Sequence, residues 1–350
     1  MDRYIGLDVH ATTTTMAIVG PSGKRIRSQV LETNAKVIVE AVRAIPGTRH
    51  ICLEEGAQAE WLWQVLKPHS DELVVTMAPE SRGQKSDARD AFALADRLRT
   101  KDLHTTVFKD VGTFATLREL NRLHTKLVSD VVRTKNRLTS LFLSRGIPTA
   151  EGNLYAAKSR QAWLRKLPTG KRWAAETYYV ELDRLTELRD QVEAELVRET
   201  HKHPIAKKLE TCPGIGPIRA AQILAVVVTP YRFRTRRQFW AYCGLGIVMR
   251  SSSDYVRDSR GQWVHANVQT TRGLNLNRNA LLEYVFKGAA TTVIGQGTTA
   301  LSDQYARLLA NGVKPNLAKL TVARRIAAIV LTLWKTNQEY DPTKHRKQAA

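Results

Sequence analysis

Arg3-Tyr4-Ile5-Gly6-Leu7-Asp8-Val9-His10 is a short apolar run that ends on a carboxylate. Its length and composition fit a strand, and residues 3–9 are the first of three successive strands, with 14–19 and 25–31 after them. Pro21-Ser22-Gly23 turns the second into the third, so the three form an antiparallel meander. A helix is expected over 35–45, with Asn34 as its N-cap. Ile51-Cys52-Leu53 reads as a buried strand, 58–67 as a helix stopped before Pro68, and 72–77 as another strand. A further helix follows from Ser86 to Arg99.

The order β-β-β-α-β-α-β-α is that of the ribonuclease H fold. In that architecture a carboxylate on the first strand meets one on the fourth strand and others on the last helix. The chain places Asp8, Glu54, Asp87 and Asp90 at those stations. Asp87 and Asp90 are spaced i, i+3, so one helix face carries both. Each alone has a structural reading: Asp8 as a turn cap, Asp87 as a partner for the helix dipole. Glu54 and Glu55 are adjacent, so at most one of them points to a given face. As a set, the four suit a hard divalent cation, Mg²⁺ or Mn²⁺, and phosphoryl-transfer chemistry.

Charge says which phosphate. Residues 1–100 carry 13 Lys+Arg and 13 Asp+Glu, whereas residues 101–350 carry 41 basic against 20 acidic, so the whole excess of +21 lies there. Within it, residues 201–250 hold nine basic residues and one acidic. A neutral metal-binding head on a basic body points to a nucleic-acid enzyme; a generally adhesive basic protein is the alternative on charge alone.

At 350 residues the chain has length for two or three domains. No apolar run reaches the roughly 18 residues of a membrane span, and Met1-Asp2-Arg3-Tyr4 lacks the layout of a secretory leader. Cys52, Cys212 and Cys243 are far apart, odd in number and without metal-ligand spacing. They read as buried thiols of a cytoplasmic protein.

Residues 114–145 show apolar positions at helical spacing (Leu117, Leu120, Leu123, Leu127, Val131, Leu138, Leu141), and 174–200 repeat the pattern with Leu182, Leu185, Leu188, Val192 and Leu196. Two such helices predict an antiparallel coiled-coil arm, or two core helices of a bundle. A mostly helical C-terminal domain follows His201-Lys202-His203-Pro204, with 318–334 as its closing helix and a basic tail after Asp341. Cys212-Pro213-Gly214-Ile215-Gly216-Pro217-Ile218-Arg219 has the pattern of a helix-hairpin-helix. Gly214 and Gly216 allow close backbone approach, the next helix opens on free N–H groups, and Arg219 adds charge for a phosphate. A tight packing turn has the same pattern. In Tyr231-Arg232-Phe233-Arg234-Thr235-Arg236-Arg237-Gln238-Phe239-Trp240 the aromatics are expected to point in. Arg232, Arg234, Arg236 and Arg237 are expected to point out, toward phosphates. Ser251-Ser252-Ser253-Asp254, read without further context, is a polar turn.

Together, Gly6-Leu7-Asp8-Val9-His10, Leu53-Glu54-Glu55-Gly56, Lys85-Ser86-Asp87-Ala88-Arg89-Asp90-Ala91, Pro213-Gly214-Ile215-Gly216-Pro217 and Tyr242-Cys243-Gly244-Leu245 resemble the DEDD transposases of bacterial insertion sequences, in the family numbered one hundred and ten. The resemblance spans nearly the whole chain. It implies a RuvC-like N-terminal domain (1–105), a coiled-coil middle (113–203), a C-terminal transposase domain (204–340) and a basic tail (341–350). It implies that Asp8, Glu54, Asp87 and Asp90 bind the metal. It also implies a catalytic serine that forms a phosphoserine link to DNA. By its distance from Gly244-Leu245 that serine is Ser252. The family usually shows Gly after the serine and a Pro shortly after Gly-Leu. This chain has Ser253-Asp254 and Ile247 there, which leaves Ser251 and Ser253 as alternative registers. The resemblance further implies a non-coding guide RNA, donor and target DNA as substrates, and a dimer or tetramer holding the DNA ends near the nucleoid. A RuvC-like nuclease that hydrolyses branched DNA with activated water is the rival reading, and a non-catalytic nucleic-acid scaffold is another.

Overall fold

The computed structural model describes residues 1–76, 86–103, 112–150, 153–251, 255–265 and 269–343. Lys85, Ser252, Ser253 and the tail from 344 lie outside them. The chain forms two compact units, Met1–Thr113 and Phe114–Ala350.

The first unit is a five-stranded sheet with helices. The meander is β1 (Asp2–Val9), β2 (Thr13–Val19) and β3 (Arg25–Glu32), followed by α1 (Ala35–Arg43), β4 (Thr48–Glu54), α2 (Ala59–Leu66), β5 (Glu72–Thr76) and α3 (Asp87–Thr100). The spatial order is β3-β2-β1-β4-β5. β1 pairs β2 antiparallel and β4 parallel, and β4 pairs β5 parallel. This arrangement is compatible with a ribonuclease H-like domain. Parallel neighbours need a crossover, which α1 and α2 supply. Asn34 caps α1 as expected, its side chain accepting from the amides of Lys36 and Val37.

The pleat sorts the residues of β1. Ile5 and Leu7 join Met16, Ile38, Val42, Ile51, Leu53, Leu62 and Leu66 in a core on one face of the sheet. Tyr4, Cys52 and Val74 meet Leu94 and Leu98 of α3 on the other. With a period of two, Gly6 and Asp8 share the α3 face with Tyr4, and Glu54 shares it with Cys52. At Gly6 the strand and α3 are in close contact. A Cβ there would lie 1.9 Å from the carbonyl oxygen of Ala91 and 2.8 Å from the amide nitrogen of Ala95. Only glycine lets the strand seat the helix at this depth.

The second unit is mostly helical: α4 (Ala115–Leu143), α5 (Arg160–Arg165), α6 (Thr169–His201), α7 (Pro204–Glu210), α8 (Pro217–Val227) and α9 (Arg236–Tyr242), then α10 (Ala280–Gln296), α11 (Ala300–Ala310) and α12 (Pro315–Thr336). Between α9 and α10 lie β6 (Ile247–Ser251) paired with β9 (Gln269–Leu274), and β7 (Tyr255–Arg257) paired with β8 (Trp263–His265), all antiparallel. Ser251 therefore ends a strand, where a polar turn is the expectation from sequence alone. α4 and α6 run antiparallel, as the pairs His124–Glu193 (3.1 Å) and Arg137–Glu181 (3.7 Å) require. Their far ends pack with α5 around Phe142, Trp163 and Tyr179, and their near ends join the main core through Leu117 and Leu196. The buried side of α4 departs from the leucine stripe. Leu123 is 46% exposed, whereas Asn121 and His124 are buried.

Cys52, Cys212 and Cys243 are all buried free thiols. Burial pushes the Cys52 thiol up to about 12 and raises Cys212 and Cys243 as well.

Candidate active site

In the first unit, Asp8, Glu54, Asp87 and Asp90 line one cleft of about 330 Å³, at the C-terminal ends of β1 and β4 and the first turn of α3. Register explains the meeting. Gly6 pairs with Cys52 and Leu7 with Leu53, so one step on Asp8 stands beside Glu54. The α3 face holds both, and α3 opens with Asp87 and Asp90. Glu55, just past the strand end, is exposed and also borders the cleft. Its amide donates to Thr76 O at 2.7 Å.

His10 is the functional candidate that the carboxylate pattern misses. Its backbone is held by the β1–β2 turn: its N–H donates to Thr13 O (2.9 Å) and its carbonyl accepts from Thr33 Oγ1 (2.9 Å). Its Nε2 stands 3.5 Å from Asp8 Oδ2 and 3.5 Å from Asp87 Oδ2. These separations are longer than good hydrogen bonds, and one donor atom from each of the three residues lies within 4.8 Å of the others. That is the spacing of ligands around a shared cation. The Asp8 carboxyl is raised above its ordinary range, chiefly by burial. His10 opposes the rise, while the nearby Asp87 and Asp90 charges add to it. A half-buried carboxylate crowded by two others holds its negative charge unfavourably until a cation shares it. The donor set fits a hard divalent ion, with the imidazole extending it toward Mn²⁺.

The other candidates are in the second unit. Of the serines only the strand position of Ser251 is described, and Ser252 lies outside the described residues. Around α9, Phe233 and Phe239 are buried and Arg234, Arg236 and Arg237 are exposed. Thr235 and Gln238 form a capping box that fixes the start of the helix. Arg232 differs from its neighbours. Its guanidinium lies over the rings of Phe233 (5.4 Å) and Tyr242 (5.2 Å) and donates to Val227 O (3.2 Å), a packing arrangement set by the adjacent aromatic core. Between α7 and α8, Gly214 has φ +80°, and a Cβ there would lie 2.7 Å from Ala289 O. This glycine brings the turn into close contact with α10. Gly216 is exposed and caps α8 without a side chain.

Two family models match the chain. One, described as a transposase of the DEDD type named for IS110, covers residues 5–146. The other, described as a transposase of the IS116/IS110/IS902 family, covers residues 206–271. The chain is 24% identical over 280 residues to a putative transposase, y4pF/y4sB, of Sinorhizobium fredii (strain NBRC 101917 / NGR234), spanning 78% of this chain and 68% of that protein. It is 24% identical over 184 residues to the transposase for insertion sequence element IS1533 of Leptospira borgpetersenii, spanning 50% of this chain and 53% of that protein. Among the described residues, no helix is long and apolar enough to cross a membrane.

Proposed function

We propose a mechanism for a chain that belongs to the IS110 family of DEDD transposases, and so for an enzyme that cleaves and rejoins DNA. The observation that carries it is the single cleft lined by Asp8, Glu54, Asp87 and Asp90. In this reading the four carboxylates hold Mg²⁺ or Mn²⁺, and His10 completes the donor set. The bound ion supplies Lewis-acid stabilisation of charge on the scissile phosphate. Ser252 Oγ attacks phosphorus, a P–O bond to one DNA strand breaks, and the departing oxygen leaves as a hydroxyl carrying the proton. The phosphoserine stores the bond until a second strand's hydroxyl displaces the serine and rejoins the chain. Arg234, Arg236 and Arg237 neutralise backbone phosphates, and the α7–α8 turn acts as a helix-hairpin-helix. The further division of the second unit into a coiled-coil arm (113–203) and a transposase domain (204–340), a guide RNA from the element and a dimeric or tetrameric assembly belong to the same reading. It is supported by the excess of basic residues after position 100.

The test is covalent trapping. Labelled DNA should form a denaturation-resistant adduct with the wild type, and Ser252→Ala should form none while still binding DNA and Mn²⁺. Ser251→Ala and Ser253→Ala should retain the adduct. An adduct missing in one of those two and kept in Ser252→Ala moves the nucleophile by one register. Strand cleavage with no adduct in any variant defeats the serine mechanism and favours hydrolysis by water.

A further inference from the structure

The second unit contains a cavity of about 660 Å³, walled by α4, α8 and the start of α10, for which the carboxylate chemistry has no use. Its walls include the apolar side chains of Val128, Pro217, Ile218 and Leu281. Tyr284 stands at its rim, 74% exposed. Four polar features face this space.

The first is Arg219. Its Nη1 donates to Gly214 O (2.6 Å) and Thr292 Oγ1 (3.2 Å), and Nη2 donates to Thr292 Oγ1 (3.2 Å). All these acceptors are neutral, and among the described residues no carboxylate pairs with it. Burial lowers its affinity for the proton, as expected of a charge without a counter-ion. The second is the opening of α8. Gly216 offers no side-chain cap, and the first helical residue is Pro217. The amides of Ile218 and Arg219 thus stay without intrahelical partners beside the guanidinium. The third is Gln222, which also lines the cavity, is 8% exposed and makes no side-chain hydrogen bond to any described residue. Its amide opens onto the cavity, where it is free to donate to and accept from a polar edge that enters. Gln222 lies one turn beyond Ile218, on the face that carries the helix opening. His124 is the fourth: it is 5% exposed, its Nε2 meets Glu193, and its Nδ1 has no partner among the described residues.

A cationic, amide-lined end fits a phosphate. Apolar walls and an exposed phenol fit the faces of an aromatic ring. A side chain with donor and acceptor side by side fits the edge of a base. We propose that this cavity takes one unpaired nucleotide of a nucleic-acid strand. Its phosphate rests against Arg219 and the start of α8, its base lies between the apolar wall and Tyr284, and Gln222 reads the base edge. This rests on the reading of the protein as a nucleic-acid enzyme. It adds that one nucleotide is held out of its helix, at a place separate from the carboxylates.

Fluorescence anisotropy with the full chain tests it. The probes are a labelled duplex and the same duplex with a single-nucleotide bulge, in DNA and RNA versions. The wild type should prefer the bulged probe by roughly ten-fold, within the range of one stacked base. Tyr284→Ala, at an exposed position that does not endanger folding, and Gln222→Leu, of similar volume, should each erase most of that preference. The backbone showing the larger preference identifies the strand held. Equal wild-type affinity for bulged and paired probes, or a preference that survives both substitutions, overturns the proposal. Binding to neither probe overturns the nucleic-acid reading together with it.

Discussion

Replacing Gly6 with alanine should separate the two halves of the carboxylate cleft. The added Cβ would stand 1.9 Å from Ala91 O and 2.8 Å from Ala95 N, where real Cβ atoms essentially never come within 3.0 Å. Both obstacles are backbone of α3, so no rotamer change relieves them. The helix must retreat from β1 by roughly 1 Å, an overpacking strain worth about 1–3 kcal/mol. For a unit of this size that lowers the melting temperature by roughly 4–8 °C per kcal/mol. The second consequence concerns the cleft. Asp8 is two residues from Gly6 on the same face of β1, and Asp87 is one turn before Ala91, so the same retreat pulls Asp8 from Asp87 and Asp90. Misplaced support of this kind weakens metal binding by roughly 10–100-fold. Calorimetric titration with Mn²⁺, alongside a melting curve, measures both. Gly56→Ala is the control, because Gly56 borders the same cleft but has nothing within 4 Å of an added Cβ. If Gly6→Ala melts and binds Mn²⁺ as the wild type does, the strand–helix contact does not set the spacing of the carboxylates.

Asp87→Ala should abolish strand exchange and weaken Mn²⁺ binding while leaving DNA binding nearly intact, as read by a recombination assay beside a gel shift. His10→Ala should weaken Mn²⁺ binding more than Mg²⁺ binding, since it removes only the nitrogen donor; equal losses in paired titrations would count against His10 as a ligand. Replacing Arg234, Arg236 and Arg237 together should reduce the slope of log affinity against log salt by roughly 0.7–0.9 for each phosphate no longer neutralised, and an unchanged slope would remove this run from the interface. Asp183 accepts two hydrogen bonds from Arg160, which holds its carboxyl below the ordinary 3.8. That stability is present above pH 3.8 and lost as pH falls through the folded value, so denaturation curves of wild type and Asp183→Asn should differ at pH 5 and converge in stronger acid. Asp183 is largely exposed, so the gap at pH 5 should be under about 1 kcal/mol.

The order of elements in the first unit is readable from residues because each carries a local signal. Ile5-Gly6-Leu7 and Ile51-Cys52-Leu53 are buried on both faces, so they appear as unbroken apolar runs. Asn34 and Pro68 mark helix ends by their own backbone preferences. The carboxylates follow once strand order and the period of two are known. His10 does not follow, because a polar residue one step beyond a strand has no periodic partner; only the β1–β2 turn brings it to Asp8 and Asp87. Along α4, reading leucines as the inward face misses Asn121 and His124. Their burial depends on what α6 and α8 place opposite them, and no residue spacing within α4 encodes that. Arg232 is misleading in the same way: in sequence it is one of four similar arginines, and only the tertiary position of Tyr242 turns it inward. The short strands β7 and β8, three residues each, are below the length at which alternation is distinguishable from chance.

The three cysteines make the chain its own stability reporter. Alkylating reagents attack the thiolate, and burial leaves almost none of it on Cys52, Cys212 or Cys243 while the fold is closed. Cys52 sits in the first unit, on the strand that ends at Glu54, and the other two sit in the core of the second. A mass-resolved alkylation time course would therefore give separate opening rates for the two units in one unmodified sample. Adding metal should slow the Cys52 clock, and adding nucleic acid should slow the other two. A cysteine introduced on the surface for a fluorophore would react alone, with no native thiol to remove first.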